Sequence, residues 1–150
     1  MDTDVTTEPG ATREYDDPLG DLLPRADVDS RWWYWIAAVP VSALVALVGG
    51  VFLLFGFFFD LFLTGGLLTF GVTFLFVPVV GLAGLVLTVM YPVATYVDAR
   101  AVAESSAEWT PDPLVWGLVA LASVVLSAFS LSVVAALYYL YKRHGAVGTP

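Results

Sequence analysis

Residues 57–68 read FFFDLFLTGGLL. They place one carboxylate, Asp60, and one Thr-Gly-Gly turn in the middle of residues 32–96, a run of 65 with no other formal charge. A membrane-crossing helix needs about 20 apolar residues, rising about 1.5 Å each, to cover about 30 Å of hydrocarbon. The run is generous for two such helices and tight for three. A carboxylate followed by Thr64, Gly65 and Gly66 is where a chain turns, so the run reads as a helical hairpin. The first span is expected at about 32–59 and the second at about 67–91. A later apolar run predicts a third at about 114–141. Dividing 32–96 into three, for four spans in all, requires short re-entrant pieces buried by protein.

Charge segregation supports this class. Of the 150 residues, 59% are hydrophobic and 13% are charged. Residues 1–31 carry nine acids against three arginines, residues 97–113 add a net −3, and Lys142 and Arg143 add +2. A soluble core does not separate its charges in such blocks. The fold expected is an all-α membrane protein with three transmembrane helices, multi-pass in the cell membrane. Residues 1–30 are expected as a disordered acidic arm ahead of a transmembrane domain over 31–150. The arm has Pro9, Pro18 and Pro24, too little apolar surface to offset its ordering entropy, and no basic-then-apolar pattern of a secretory signal. PLGDLLP, residues 18–24, is the segment of the arm that could bind a partner.

Aromatic residues mark the expected interfaces, since Trp and Tyr settle where an apolar ring can keep a wet tip. Trp32, Trp33, Tyr34 and Trp35 open the first span, Tyr91 and Tyr96 close the second, and Trp109 and Trp116 flank the third. With three spans, Tyr138, Tyr139 and Tyr141 mark the opposite side. Arg13, Arg25, Arg31 and Arg100 then outnumber Lys142 and Arg143, which orients the N-terminus to the cytoplasm.

Between the second and third runs stands DARAVAESSAEWTPDP, residues 98–113. Its good helix formers predict that the second helix continues past Pro92 into water, to about residue 106. Ala99, Val102, Ser106 and Trp109 form one face; Arg100, Glu104 and Glu108 form another at i, i+4 spacing. Asp98 fits neither. Trp109 is expected as an interface anchor. Asp112-Pro113 is an N-cap followed by proline at the first helical position. The cassette reads as a rigid connector, or as a surface on which a partner docks.

Small residues recur at packing intervals: Ser42, Ala46 and Gly50; Gly81, Gly84 and Thr88; Ala120, Ser123, Ser127 and Ser130. In lipid they let helices approach closely. They predict seams, within a three-helix bundle or between copies, with Ser123 and Ser127 facing another helix.

For catalysis the inventory is poor. There is no Cys, no Gly-Lys pair of a phosphate loop and no zinc-binding His pair. His144 is alone in a basic cluster, and the serines of the third run have no partner base. No catalytic, cofactor-binding or metal-binding residue is assigned, no cofactor is expected, and the chain is not read as an enzyme. The candidate functional or packing residues are Asp60, Asp98, Arg100, Glu104, Trp109, Ser123 and Ser127. Asp60 is expected at a hydrated hairpin turn; inside the membrane it would mark a proton or ion path.

The paired stretches YVDARAVAESSAEWTPDPLVW and YYLYKRHGAVGTP resemble a recurrent C-terminal module of small haloarchaeal integral membrane proteins. The residues that carry the resemblance include Tyr96, Asp98, Val102, Glu108, Trp109, Pro111 and Pro113, then Tyr139, Tyr141, Lys142, Arg143, His144 and Gly148. It spans about 55 residues and leaves out the Phe-rich hairpin. It implies membrane character and a halophilic origin, and no reaction. Ten Asp against four Glu, five Arg against one Lys, and a pI near 4.2 agree with that origin. The function expected is a small non-catalytic membrane protein acting by helix association or partner docking. The alternative is a subunit of an oligomeric transporter or channel. Partners would be membrane lipid and a second copy or another membrane protein, with no nucleic acid.

Overall fold

The computed structural model describes residues 18–19, 22–127 and 129–148. The chain there is helical: α1 (Trp33–Leu63), α2 (Leu67–Glu104), α3 (Pro113–Ser127) and α4 (Ser130–Val147), with no strand among the described residues. For residues 1–17, 20 and 21, the expected disorder lies outside the described residues.

The hairpin turn is where the sequence predicts it. The amides of Thr64 and Gly66 donate to the Asp60 carbonyl, at 2.8 and 3.3 Å. Gly65 and Gly66 follow at φ 71° and 88°. That left-handed region is costly for residues with a Cβ, which is why two glycines end this helix. α2 then runs 38 residues, through both Pro78 and Pro92, to Glu104. Its end is close to the expected 106. At α3, Asp112 Oδ1 accepts from the amides of Leu114 and Val115 at 2.9 and 3.2 Å, so the Asp-Pro cap forms as expected.

The run expected as one helix over about 114–141 is instead two. Phe129 sits at φ 79°, the single non-glycine residue at positive φ among those described. Beyond it the chain folds back. Ser123 Oγ and Ser132 Oγ, nine residues apart, lie 3.1 Å from each other, where a continuous helix would separate them by about 13 Å. The Trp116 ring stacks on Tyr138 at 6.0 Å and meets Tyr139 edge-on at 5.0 Å. α4 therefore returns to the end where α3 began. Ser127 stabilises the reversal: its Oγ accepts from the Leu131 amide at 2.8 Å, supplying a cap to a helix that has none at Phe129.

This reversal changes the aromatic map. Tyr138, Tyr139 and Tyr141, expected at the opposite side, stand at the same end as Trp32, Trp33, Trp35, Trp109 and Trp116. The two ends of the molecule differ in kind. At one end α1 packs on α2 and α4, and α3 packs on α2 and α4. Ile36, Val39, Leu87, Tyr91, Ala94, Ala120, Val124 and Ala136 form the core there. At the other end α1 and α2 stand alone as a distal hairpin over 41–86, nearly every residue exposed. Nine of the ten Phe fall at 52–76, and no Trp or Tyr does.

The small-residue seams divide the same way. Ala120 and Ser123 are buried, and Ser123 faces α4 as expected. Ser127 is half-buried in the turn and Ser130 is exposed. Ser42, Ala46, Gly50 and Gly81 are exposed. A Cβ added at Gly50, Gly81 or Gly84 would meet nothing within 4 Å. These residues form no seam inside the four-helix end, because that end reaches only as far as Leu87.

Candidate functional site

α2 beyond Pro92 is not a solvated stub. Every residue from 94 to 103 is buried: α1 and α3 pack on the helix, and side chains of α4 and the segment before α1 reach it. The expected division into an apolar and a polar face fails here. Arg100 is 1% exposed, Glu104 is half-buried, and Glu108 lies beyond the helix end.

At the centre of this enclosed stretch is Asp98, 0% exposed. Its Oδ2 accepts two bonds from α4: one from Arg143 Nε at 2.8 Å and one from the Tyr139 hydroxyl at 2.8 Å. Tyr139 and Arg143 are four residues apart, so both project from one face of α4 onto the same oxygen. Arg143 is also 0% exposed, and its Nη2 donates to the Val28 carbonyl at 2.7 Å. Asp98 Oδ1 is buried with no hydrogen-bond partner among the described residues. Two indoles clasp the Tyr139 ring: Trp109 at 5.5 Å and Trp116 at 5.0 Å, both edge-on, with Trp109 and Trp116 themselves 5.9 Å apart. Trp109 thus anchors the cassette to α3 and α4.

A second arginine holds the same incoming segment. Arg100 Nη2 donates to the carbonyls of Pro24 and Leu23, and its guanidinium lies 5.9 Å from the Tyr96 ring centroid. Leu23 and Pro24 belong to PLGDLLP. Part of the segment set aside for a partner thus docks on the chain itself, and the end of the expected solvated arm is bonded to α2 and α4 at Leu23, Pro24 and Val28. A guanidinium has more donors than one carboxylate oxygen accepts, and backbone carbonyls of this segment take some of those of Arg100 and Arg143.

Of the sequence candidates, Asp98 and Arg100 both lie in this enclosed stretch but hold different partners, and Trp109 reaches the site through the Tyr139 ring. Tyr139 and Arg143 complete the site and were not among the candidates. The available signal was Asp98 itself, an acid fitting neither face of its helix. Asp98 lies in the stretch 96–116, and Tyr139 and Arg143 lie in the stretch 138–150.

Asp60 is elsewhere, in the distal turn. Its Oδ1 accepts from Thr64 Oγ1 at 2.5 Å and its Oδ2 from the Thr69 amide at 2.8 Å. It is 5% exposed, but what covers it is its own turn, not a protein interior. Gly66, at the start of α2, has no side chain to cap the helix, and Asp60 caps it from the end of α1. Replacing Asp60 with Ala should free the Thr69 amide and speed its hydrogen exchange, while Asp60→Asn, which keeps an acceptor, should leave exchange near the wild-type rate. Equal exchange in both variants would remove the capping role.

His144 is exposed and borders a shallow, open groove of about 340 Å³ with Glu108, Trp109, Tyr141 and Lys142. Among the described residues no group of three or more His, Asp or Glu could hold a metal ion. The arrangement around Asp98 joins charges and fixes segments; its polar atoms face one another and not an opening. No family model, curated protein or solved structure matches the chain.

Proposed function

We propose that this chain is a non-catalytic, multi-pass integral membrane protein that acts by helix association through the distal hairpin. One observation carries the reading. α1 and α2 contain windows of mean hydropathy 2.5 and 2.4 of which 0% and 6% is buried. The core helix of a soluble protein buries such a window; here the apolar surface requires lipid or another helix. Every basic side chain among the described residues, Arg25, Arg31, Arg100, Lys142 and Arg143, belongs to the four-helix end. Under the positive-inside rule that end, with the N-terminal segment, faces the cytoplasm.

Association is favoured over transport by how the hairpin's polar atoms are used. Its one ionisable residue, Asp60, is committed to Thr64 and Thr69. Open space at Gly49, Gly50 and Gly56 on α1, and at Gly71, Gly81 and Gly84 on α2, leaves close approach available to a helix from outside. The test is mass in mild detergent together with cross-linking from residue 50 in native membranes. The expected result is a protein mass above the 16.1 kDa of one chain, returned to one chain by Gly50→Leu with Gly84→Leu. A wild-type monomer that cross-links to no membrane protein from residue 50 would overturn the reading.

A further inference from the structure

We propose that α3 and α4 form a re-entrant hairpin. They enter one leaflet of the bilayer from the four-helix side and leave by that same side, with lipid acyl chains covering their outer face. The inference rests on the membrane reading above and adds a second inserted element, of different depth, to it.

Length comes first. α3 has 15 residues, about 22 Å, and cannot cross about 30 Å of hydrocarbon before the chain turns back at Phe129. Its surface comes second. Leu118, Val125 and Leu126 on α3, and Leu131, Val134 and Leu137 on α4, are between 52% and 78% exposed. No charged residue occurs from 113 to 141. An apolar face of that extent, continuous with the apolar surface of α1 and α2, does not stand in water.

The third observation is how the hairpin ends. Its base carries Trp109, Trp116, Tyr138 and Tyr141, the residues that settle at a membrane interface, followed at once by Lys142 and Arg143. Its tip carries no charge, and the hydroxyls of Ser123, Ser127 and Ser132 bond to protein, while Ser130 is exposed. Ser127 Oγ donates to the Ser123 carbonyl and accepts from the Leu131 amide; Ser123 Oγ and Ser132 Oγ bond each other, and the Ser132 carbonyl accepts from Tyr91. A turn at membrane depth is tolerated when its polar groups are supplied by protein in this way. Ser123, Ser127, Ser132 and the Leu131 amide meet that condition, and the base does not need to.

The chain contains no cysteine, so single cysteines report cleanly. Ser106→Cys and Gly145→Cys are read with a membrane-impermeant maleimide in sealed vesicles of known sidedness. Both positions are exposed, and a Cβ at Gly145 meets nothing within 4 Å. Nitroxides at Leu53→Cys and Val125→Cys are read in lipid discs by their relaxation with oxygen and with a water-soluble nickel complex. The expected result is labelling of 106 and 145 from one side, with Val125 open to oxygen and closed to nickel. Labelling from opposite sides would make residues 113–141 a crossing and overturn the proposal. Val125 open to nickel places the face in water; Val125 closed to both places it under protein, a second copy included. Either result also overturns it. Leu53 separates the two readings: if it faces lipid while Val125 does not, only the re-entrant hairpin fails, and if both face water the membrane reading fails as well.

Discussion

Replacing Arg143 with Met lowers the stability of the folded protein by about 3–5 kcal/mol, the range for removing one partner of a buried ion pair. Met keeps the apolar stem and removes the guanidinium, so the main loss is of charge and hydrogen bonds. Asp98 Oδ1 has no hydrogen-bond partner among the described residues, and Oδ2 would keep only the Tyr139 hydroxyl there. Neither Asp98 nor Arg143 has any exposed surface through which water could restore solvation. The Val28 carbonyl loses its donor as well. Asp98→Leu combined with Arg143→Met should recover most of the loss, since a buried pair exchanged for apolar residues is often close to neutral. Helix content followed through a denaturing-detergent titration gives both values. Losses in the two single variants that simply add in the double variant would mean that the residues act independently, and the pairing argument would fall.

Gly117→Leu should cost about 1–3 kcal/mol, the range for inserting atoms into a packed interior. A Cβ at Gly117 would stand 3.2 Å from Tyr96 Cβ and 3.2 Å from Tyr96 Cδ2. The Tyr96 ring can swing, but its Cβ is fixed to α2, so α3 itself must move outward. That displaces Trp116, and through it the contact with Tyr139. Gly145→Leu, at a position with open space, is the control and should stay within about 0.5 kcal/mol of wild type. Equal tolerance of the two substitutions in the same titration would show that α2 and α3 are not held at that separation.

Where local chemistry settled the geometry, it could be read from the residues in order. Asp60, Thr64, Gly65 and Gly66 announce the first turn, and Asp112 with Pro113 announces the start of α3. The reversal at Phe129 has no such marker. There is no Gly, Pro or charge at the break, and the serines at 127, 130 and 132 only lower the hydropathy there. What selects the turn is the meeting of Ser123 with Ser132 and of Trp116 with Tyr138, contacts between helices that exist only once the chain has turned.

The site around Asp98 was legible in part for a related reason. A helical wheel over residues 98–109 assumes that one face meets water, and it sorts Arg100 onto that face. The assumption is wrong where every residue of the helix from 94 to 103 is buried. Asp98 resisted the sorting, which was a correct sign of burial. Its partners, 41 and 45 residues further on, belong to a helix whose direction the sequence did not reveal.

That separation also sets an order of events during synthesis. Asp98 leaves the ribosome 45 residues ahead of Arg143. When α1 and α2 are complete, the carboxylate has neither its guanidinium nor its phenol, and the backbone of residues 23–28 has only one of its two arginines. The site around Asp98 can close only once α3 has been made and α4 has brought Tyr139 and Arg143 back to it. A chain interrupted before α4 lacks both groups that bond Asp98 and the donor to the Val28 carbonyl.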